Sequence, residues 1–132
     1  MAAEIEERFE AIEECYEFML AYAAQGLTSD KGSESGRQVR EFLTRAVNAL
    51  TGLTECCAEA MGDNRPAFLA VLERDASDSL AALDLVLAQP AISSQLIDNL
   101  NASVHLRALL TDVFLLGEVL RTQQVTAKSA GS

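Results

Sequence analysis

The chain has 132 residues, a length that suggests a single domain, and it carries 20 acidic against 10 basic residues for a formal net charge of −10. With 49% of residues hydrophobic there is ample material for a core, so a disordered chain is excluded, and three cysteines are too few for a disulfide scaffold. The acidic balance excludes a general nucleic-acid binder, which needs a basic face to displace counterions.

The first predicted helix covers residues 3–25. Ile5, Phe9, Ile12, Tyr16, Met19 and Ala23 recur at spacings of 4, 3, 4, 3 and 4, the seam of a helix packed at a shallow angle on its neighbours. Gly26 supplies a C-terminal stop. Residues 27–35, rich in Ser, Gly, Thr and Asp, read as a flexible loop, with Ser33 or Ser35 placed to cap the next helix.

A second helix is predicted over 36–61, on the seam Val39, Leu43, Ala46, Leu50, Leu53 and Cys57. Gly62 ends it. Asp63 or Asn64 caps a third helix over 65–88, and Pro66 sits in its first turn, where a missing N–H costs nothing. Leu69, Leu72, Ala76, Leu83 and Val86 form its inner face, flanked by Phe68, Leu80 and Leu87. Pro90 marks the last break. The fourth helix is predicted over 91–123, bent or broken near Asn101–Ser103, where Asn and Ser compete for local backbone hydrogen bonds. Residues 125–132 lack periodicity and read as a disordered tail. Short turns between long helices make antiparallel neighbours, so the expected fold is an all-α, up-down-up-down four-helix bundle spanning 1–124.

The N-terminus lacks the positive charge and apolar run of a secretory signal, and no stretch approaches the roughly 18 apolar residues of a membrane span. With three free thiols, a cytoplasmic location is expected. Eight Arg against two Lys, with abundant Ala, fits a GC-rich bacterial source.

Four features bear on chemistry. Glu4, Glu6, Glu7, Glu10, Glu13, Glu14 and Glu17 crowd the first helix against a single Arg8. A di-iron bundle would need Glu-x-x-His pairs, and the residue three before the lone His105 is Ala102, so no metal site is expected. The carboxylates read as a solvated acidic face built from Glu6, Glu7, Glu10, Glu13, Glu14 and Glu17, favourable near a helix N-terminus and available to a basic partner. Cys15, Cys56 and Cys57 lack metal spacing, and hairpin register sets Cys15 about nine residues from Cys56, too far for a disulfide. Cys57 reads as a core residue and Cys56 as an edge thiol open to oxidation. Register arithmetic sets His105 opposite Asp75 and near Asp78, where a carboxylate would stabilise the imidazolium. The run His105-Leu106-Arg107-Ala108 departs from the His-x-x-Lys-Gly pattern of phosphotransfer bundles. Finally, the fourth helix is apolar over more than half its circumference. Leu106, Leu109, Leu110, Val113, Leu116 and Leu120 are the expected partner-interface residues, most simply for a twofold homodimer.

The composition therefore points to a non-enzymatic protein-interaction module, an adaptor, assembly factor or chaperone-like bundle with no catalytic residues, no cofactor, no nucleic-acid partner and no membrane span. The alternative is a small-ligand-binding or enzymatic bundle with an inter-helix cavity near His105 and Asp75 or Asp78. Binding to lipid through opened helices ranks last, because such helices carry Lys and Arg on their polar face.

Overall fold

A computed structural model describes residues 2–63 and 66–130, with side chains described for 3–63 and 66–123. All regular structure in those residues is helical: α1 (Ala2–Ala24), α2 (Glu34–Leu50), α3 (Leu53–Met61), α4 (Phe68–Leu87), α5 (Ser94–Ala102) and α6 (Val104–Ala130). The all-α class is as expected, but the described residues form six helices where four were expected: the predicted 36–61 helix is broken in two, and the 91–123 helix is broken at Ser103, within the stretch where a bend or break was expected.

The first break falls inside the predicted 36–61 helix. Thr51 turns extended and Gly52 takes φ +79°, a left-handed conformation that glycine adopts without Cβ strain. Arg8 of α1 reaches across to this point and donates from one guanidinium nitrogen to the carbonyls of Ala49 (2.9 Å) and Thr51 (2.6 Å). Those are end-of-helix carbonyls that lack intrahelical partners, so a cation from a neighbouring helix supplies the cap. The second break is at Ser103, which turns extended and caps α6 by accepting from the Leu106 amide. Asn101, expected to share in that local bonding, does not. Its amide is buried with neither end hydrogen-bonded.

At the other boundaries Ser33, rather than Ser35, caps α2 by accepting from the Gly36 amide, and Ser93 caps α5. Asn64 lies outside the described residues. Helix α6 runs on through 125–130, where a tail was expected, because neither Gly nor Pro occurs between Gly117 and Gly131.

The predicted seams form the core. Val39, Leu43, Ala46, Leu50, Leu53 and Cys57 are all buried, as are Ile5, Phe9, Ile12 and Met19, with Cys15 and Tyr22 completing the α1 face in place of Tyr16 and Ala23. Helix α1 lies antiparallel to α2, as the Glu14–Arg45 pair and the Phe18–Phe42 ring stack at 4.6 Å require. It also packs on α5. Helix α4 packs on α6, α2 and α3. Contact between α1 and α6 is sparser, because the Ser103 break lets α5 lean on α1 while α6 leans on α4.

Within the 27–35 segment, Leu27 and Asp30 are anchored by hydrogen bonds to the rest of the chain. Asp30, 7% exposed, receives the Arg40 Nε at 2.6 Å and the Ile92 amide at 2.7 Å. The same guanidinium donates to the Leu87 and Gln89 carbonyls at the end of α4. Ser94 donates to the Tyr22 carbonyl and accepts from the Leu27 amide, and the Tyr22 hydroxyl donates to the Ile92 carbonyl. The α1–α2 and α4–α5 connections are thereby tied to one another by charge-assisted bonds at one end of the bundle. Gly36 belongs to this knot: a Cβ there would lie 1.7 Å from the Asp30 carbonyl oxygen. Among the described residues no helix is long and apolar enough to cross a membrane.

Candidate functional site

Helices α1 and α6, with Ala60 of α3, line an open groove of about 680 Å³. Ile5 and Phe9 of α1 with Val113, Gly117 and Leu120 of α6 make an apolar floor, and the half-exposed ring of Phe114 stands as a wall. Gly117 keeps the floor open: a Cβ there would only touch the Phe9 ring at 3.8 Å, and the space a longer side chain would need is the groove itself.

The rim is acidic. Glu6, Glu10 and Glu13 follow one another at spacings of four and three, which places them on one side of α1, and all three line the groove. Glu118 and Arg121 stand on the α6 side, already paired with each other. Among the described residues Glu6, Glu10 and Glu13 have no cationic partner. Arg8, the sole cation of α1, is committed to capping α2 and pairs with Glu4. The Glu13 carboxyl is raised above its ordinary value by partial burial and by the neighbouring carboxylates of Glu17 and Glu10. Of the predicted acidic face, then, Glu6, Glu10 and Glu13 reach the groove. Glu17 continues their line beyond it, Glu14 binds Arg45 at 3.1 Å, and Glu7 is exposed elsewhere.

The interface residues predicted on the last helix are placed differently. Leu106, Leu109, Leu110, Val113 and Leu116 are buried in the chain's own core, and Leu120 is partly buried against it. Large apolar groups exposed on α6 are Phe114, Leu115, Val119 and Val104 instead. A seam at helical spacing is first consumed by intramolecular packing, and only the flanking apolar positions are left for a partner.

His105 lies near Asp78, as expected, but not opposite Asp75. His105 Nδ1 lies 3.9 Å from the Asp78 carboxylate, both about half exposed, while Ser79 donates to the His105 carbonyl. Asp75 meets a different partner, Asp112 of α6, because the α4–α6 register is shifted by several residues from the expected one. Asp112 is 4% exposed and its Oδ2 has no hydrogen-bond donor. Burial, and then the facing Asp75 carboxylate, push its carboxyl up to about 7. Protonating Asp112 removes its charge from this buried position and relieves its repulsion with the facing carboxylate. Neither Asp112 nor Gly117 is among the site residues expected from the sequence. The signal for both was present, a carboxylate and a glycine interrupting the densest apolar run of the chain.

The three cysteines are free and buried. Burial raises Cys15 to about 12 and Cys57 to about 11, and raises Cys56 too, so Cys56 is not the open edge thiol expected. No cluster of three or more His, Cys, Asp or Glu side chains suited to a metal ion occurs among the described residues. A void of about 20 Å³ beside Cys15 and Leu109 has room for little more than one water. Neither it nor the groove is lined by His105 or Asp78. Compared with protein-family models, curated proteins and solved structures, the chain matches none.

Proposed function

We propose that the protein is a non-enzymatic interaction module, an adaptor or assembly factor, and that the groove between α1 and α6 is where it receives another protein. The observation that carries this reading is the groove's composition: an apolar floor and an exposed aromatic wall, bordered on one side by three carboxylates that have no cationic partner among the described residues. Apolar surface rimmed by polar groups is the common anatomy of a protein-binding site. The alternative, a ligand or catalytic site around His105, loses support because Asp75 is turned to Asp112 and His105 stands at the surface. A homodimer through the last helix would use Phe114, Leu115 and Val119, since the leucine seam is occupied.

The test is site-specific cross-linking in the cell that makes the chain. A photoreactive phenylalanine analogue replaces Phe114 in one variant and Leu85 in another. Leu85 is at least as exposed but stands on α4, away from the groove. A discrete adduct from position 114 and none from 85 is the expected result. No adduct from 114, or the same adducts from both, removes the groove as an interaction site.

A further inference from the structure

Resting on the interaction reading, we infer that the occupant of the groove is a single amphipathic helix of another protein, apolar on the face that enters and carrying Lys or Arg at about i, i+4 and i+7 to meet Glu6, Glu10 and Glu13. Charge and length both argue for it. The three rim carboxylates span seven residues of α1, roughly 10 Å at helical rise, and the α6 side runs from Val113 to Gln123, roughly 15 Å. That matches about three turns of helix. A helix with its side chains is about 10–12 Å across, so an apolar ridge enters between diverging helices while the cationic flank stays at the rim. Lys and Arg suit the geometry because their long stems cover the floor as their charged heads reach the carboxylates.

A second copy of this chain fits poorly. Its apolar face on α6 is bordered by the same acidic helix, its net charge is −10, and docking would set carboxylate against carboxylate. A partner's cations would instead relieve a repulsion already present, since Glu13 is flanked by Glu10 and Glu17. The residues 27–35 cannot fold back into the groove, because Asp30 is held at Arg40 and Ile92.

The experiment is a calorimetric titration of the full chain with three synthetic peptides of about 14 residues. One is built of Leu, Ala and Lys with the stated spacing. The second carries Glu for Lys, and the third is a scramble of the first that keeps its charge and destroys its apolar face. The first is expected to bind at least tenfold more tightly than either control, and to weaken in 0.5 M salt. Gly117→Leu fills the floor without altering charge, and the triple change of Glu6, Glu10 and Glu13 to Gln removes the rim. Each should weaken binding at least tenfold. Phe114→Ser repeats the floor test at an exposed wall position that folding does not depend on. Equal binding of the scramble, or full binding by both Gly117→Leu and Phe114→Ser, would show attraction by charge alone and overturn the inference. Recovery of the cross-linked partner separates this inference from the one beneath it: an adduct at position 114 with a segment lacking basic residues sinks the cationic helix and leaves the interaction module standing.

Discussion

Asp30 sits beside the Arg40 guanidinium and under the Ile92 amide, and these donors hold its carboxyl below the usual carboxylate range despite its burial. Asp112 has the opposite surroundings, no donor and a second carboxylate, and is pushed up. The two therefore bend the pH profile of stability in opposite directions. For Asp30 the folded value lies below the unfolded one, so its contribution is present above about pH 4 and is lost as pH falls through the folded value. For Asp112 the folded state holds a proton that the unfolded chain releases. Its contribution is complete below about pH 4 and disappears as pH rises through about 7. Asp30→Asn is expected to cost about 2–4 kcal/mol at pH 7, because it leaves the Arg40 fork and the Ile92 amide poorly paired, and progressively less as pH falls below about 4. Asp112→Asn, which removes the titrating charge and offers an amide hydrogen to the Asp75 carboxylate, should raise stability at pH 8 by at least about 1 kcal/mol and flatten the profile between pH 4 and 7. Urea melts across that range check both. A destabilised Asp112→Asn protein at pH 8 would mean that the carboxylate pair is favourable as it stands.

At the level of helices, α6 is divided into an occupied seam and a free flank, and adjacent residues separate the two. Leu116 is buried and Leu115 is half exposed. Leu116→Glu should lower stability by about 3–5 kcal/mol through an unpaired charge in the core, whereas Leu115→Glu should stay within about 0.5 kcal/mol; thermal melts followed by circular dichroism distinguish them. Gly36→Ala tests the knot between α1 and α2. Its Cβ meets backbone, which cannot swing aside like a side chain, so the variant should lose several kcal/mol and release the 27–35 segment to rapid amide exchange. The helical class and nearly all of the core could be read from spacing alone, because burial of a face fixes the period wherever the helix continues. The break at Ser103 was legible from Asn and Ser in the run, but the one at Gly52 was not. The helix predicted over 36–61 runs straight through Gly52, since what stabilises a stop there is Arg8, 41 to 43 residues away in sequence from the carbonyls it caps. The anchoring of Asp30 in the 27–35 segment was hidden for the same reason: it is fixed by Arg40 and Ile92, partners no local pattern identifies. For the site, the acidic ladder and the apolar helix were both legible in the sequence. Their meeting at a groove was not, because it depends on how α5 and α6 lean after Ser103.

Over the whole molecule the charge is unevenly held: residues 1–26 carry seven acidic residues and one basic, −6 of the −10 total. The carboxylates 6, 10, 13 and 17 are neighbours along one face of α1, and each like-charged pair at such spacing opposes the helix by about 0.2–0.5 kcal/mol. The free protein therefore bears a repulsion beside the groove that is worth on the order of 1 kcal/mol in total. Salt should act on stability and on binding in opposite senses. Screening relieves the ladder, so raising sodium chloride from about 0.02 to 0.5 M, where the Debye length shrinks below 5 Å, should raise the melting temperature by about 3–5 °C. The Asp30–Arg40 pair at the other end is partly buried and less open to screening, so it does not offset that gain. Association with a cationic helix should weaken over the same range, because the attraction that relieves the ladder is the one being screened. Glu10→Gln, in the middle of the ladder, should reproduce the salt effect at low ionic strength by raising the melting temperature and reducing its dependence on salt. Scanning calorimetry at the two salt concentrations measures both quantities. A Glu10→Gln protein that melts lower than the parent at low salt would mean that the ladder is already neutralised within the chain, and that α1 has no charge left over for a partner.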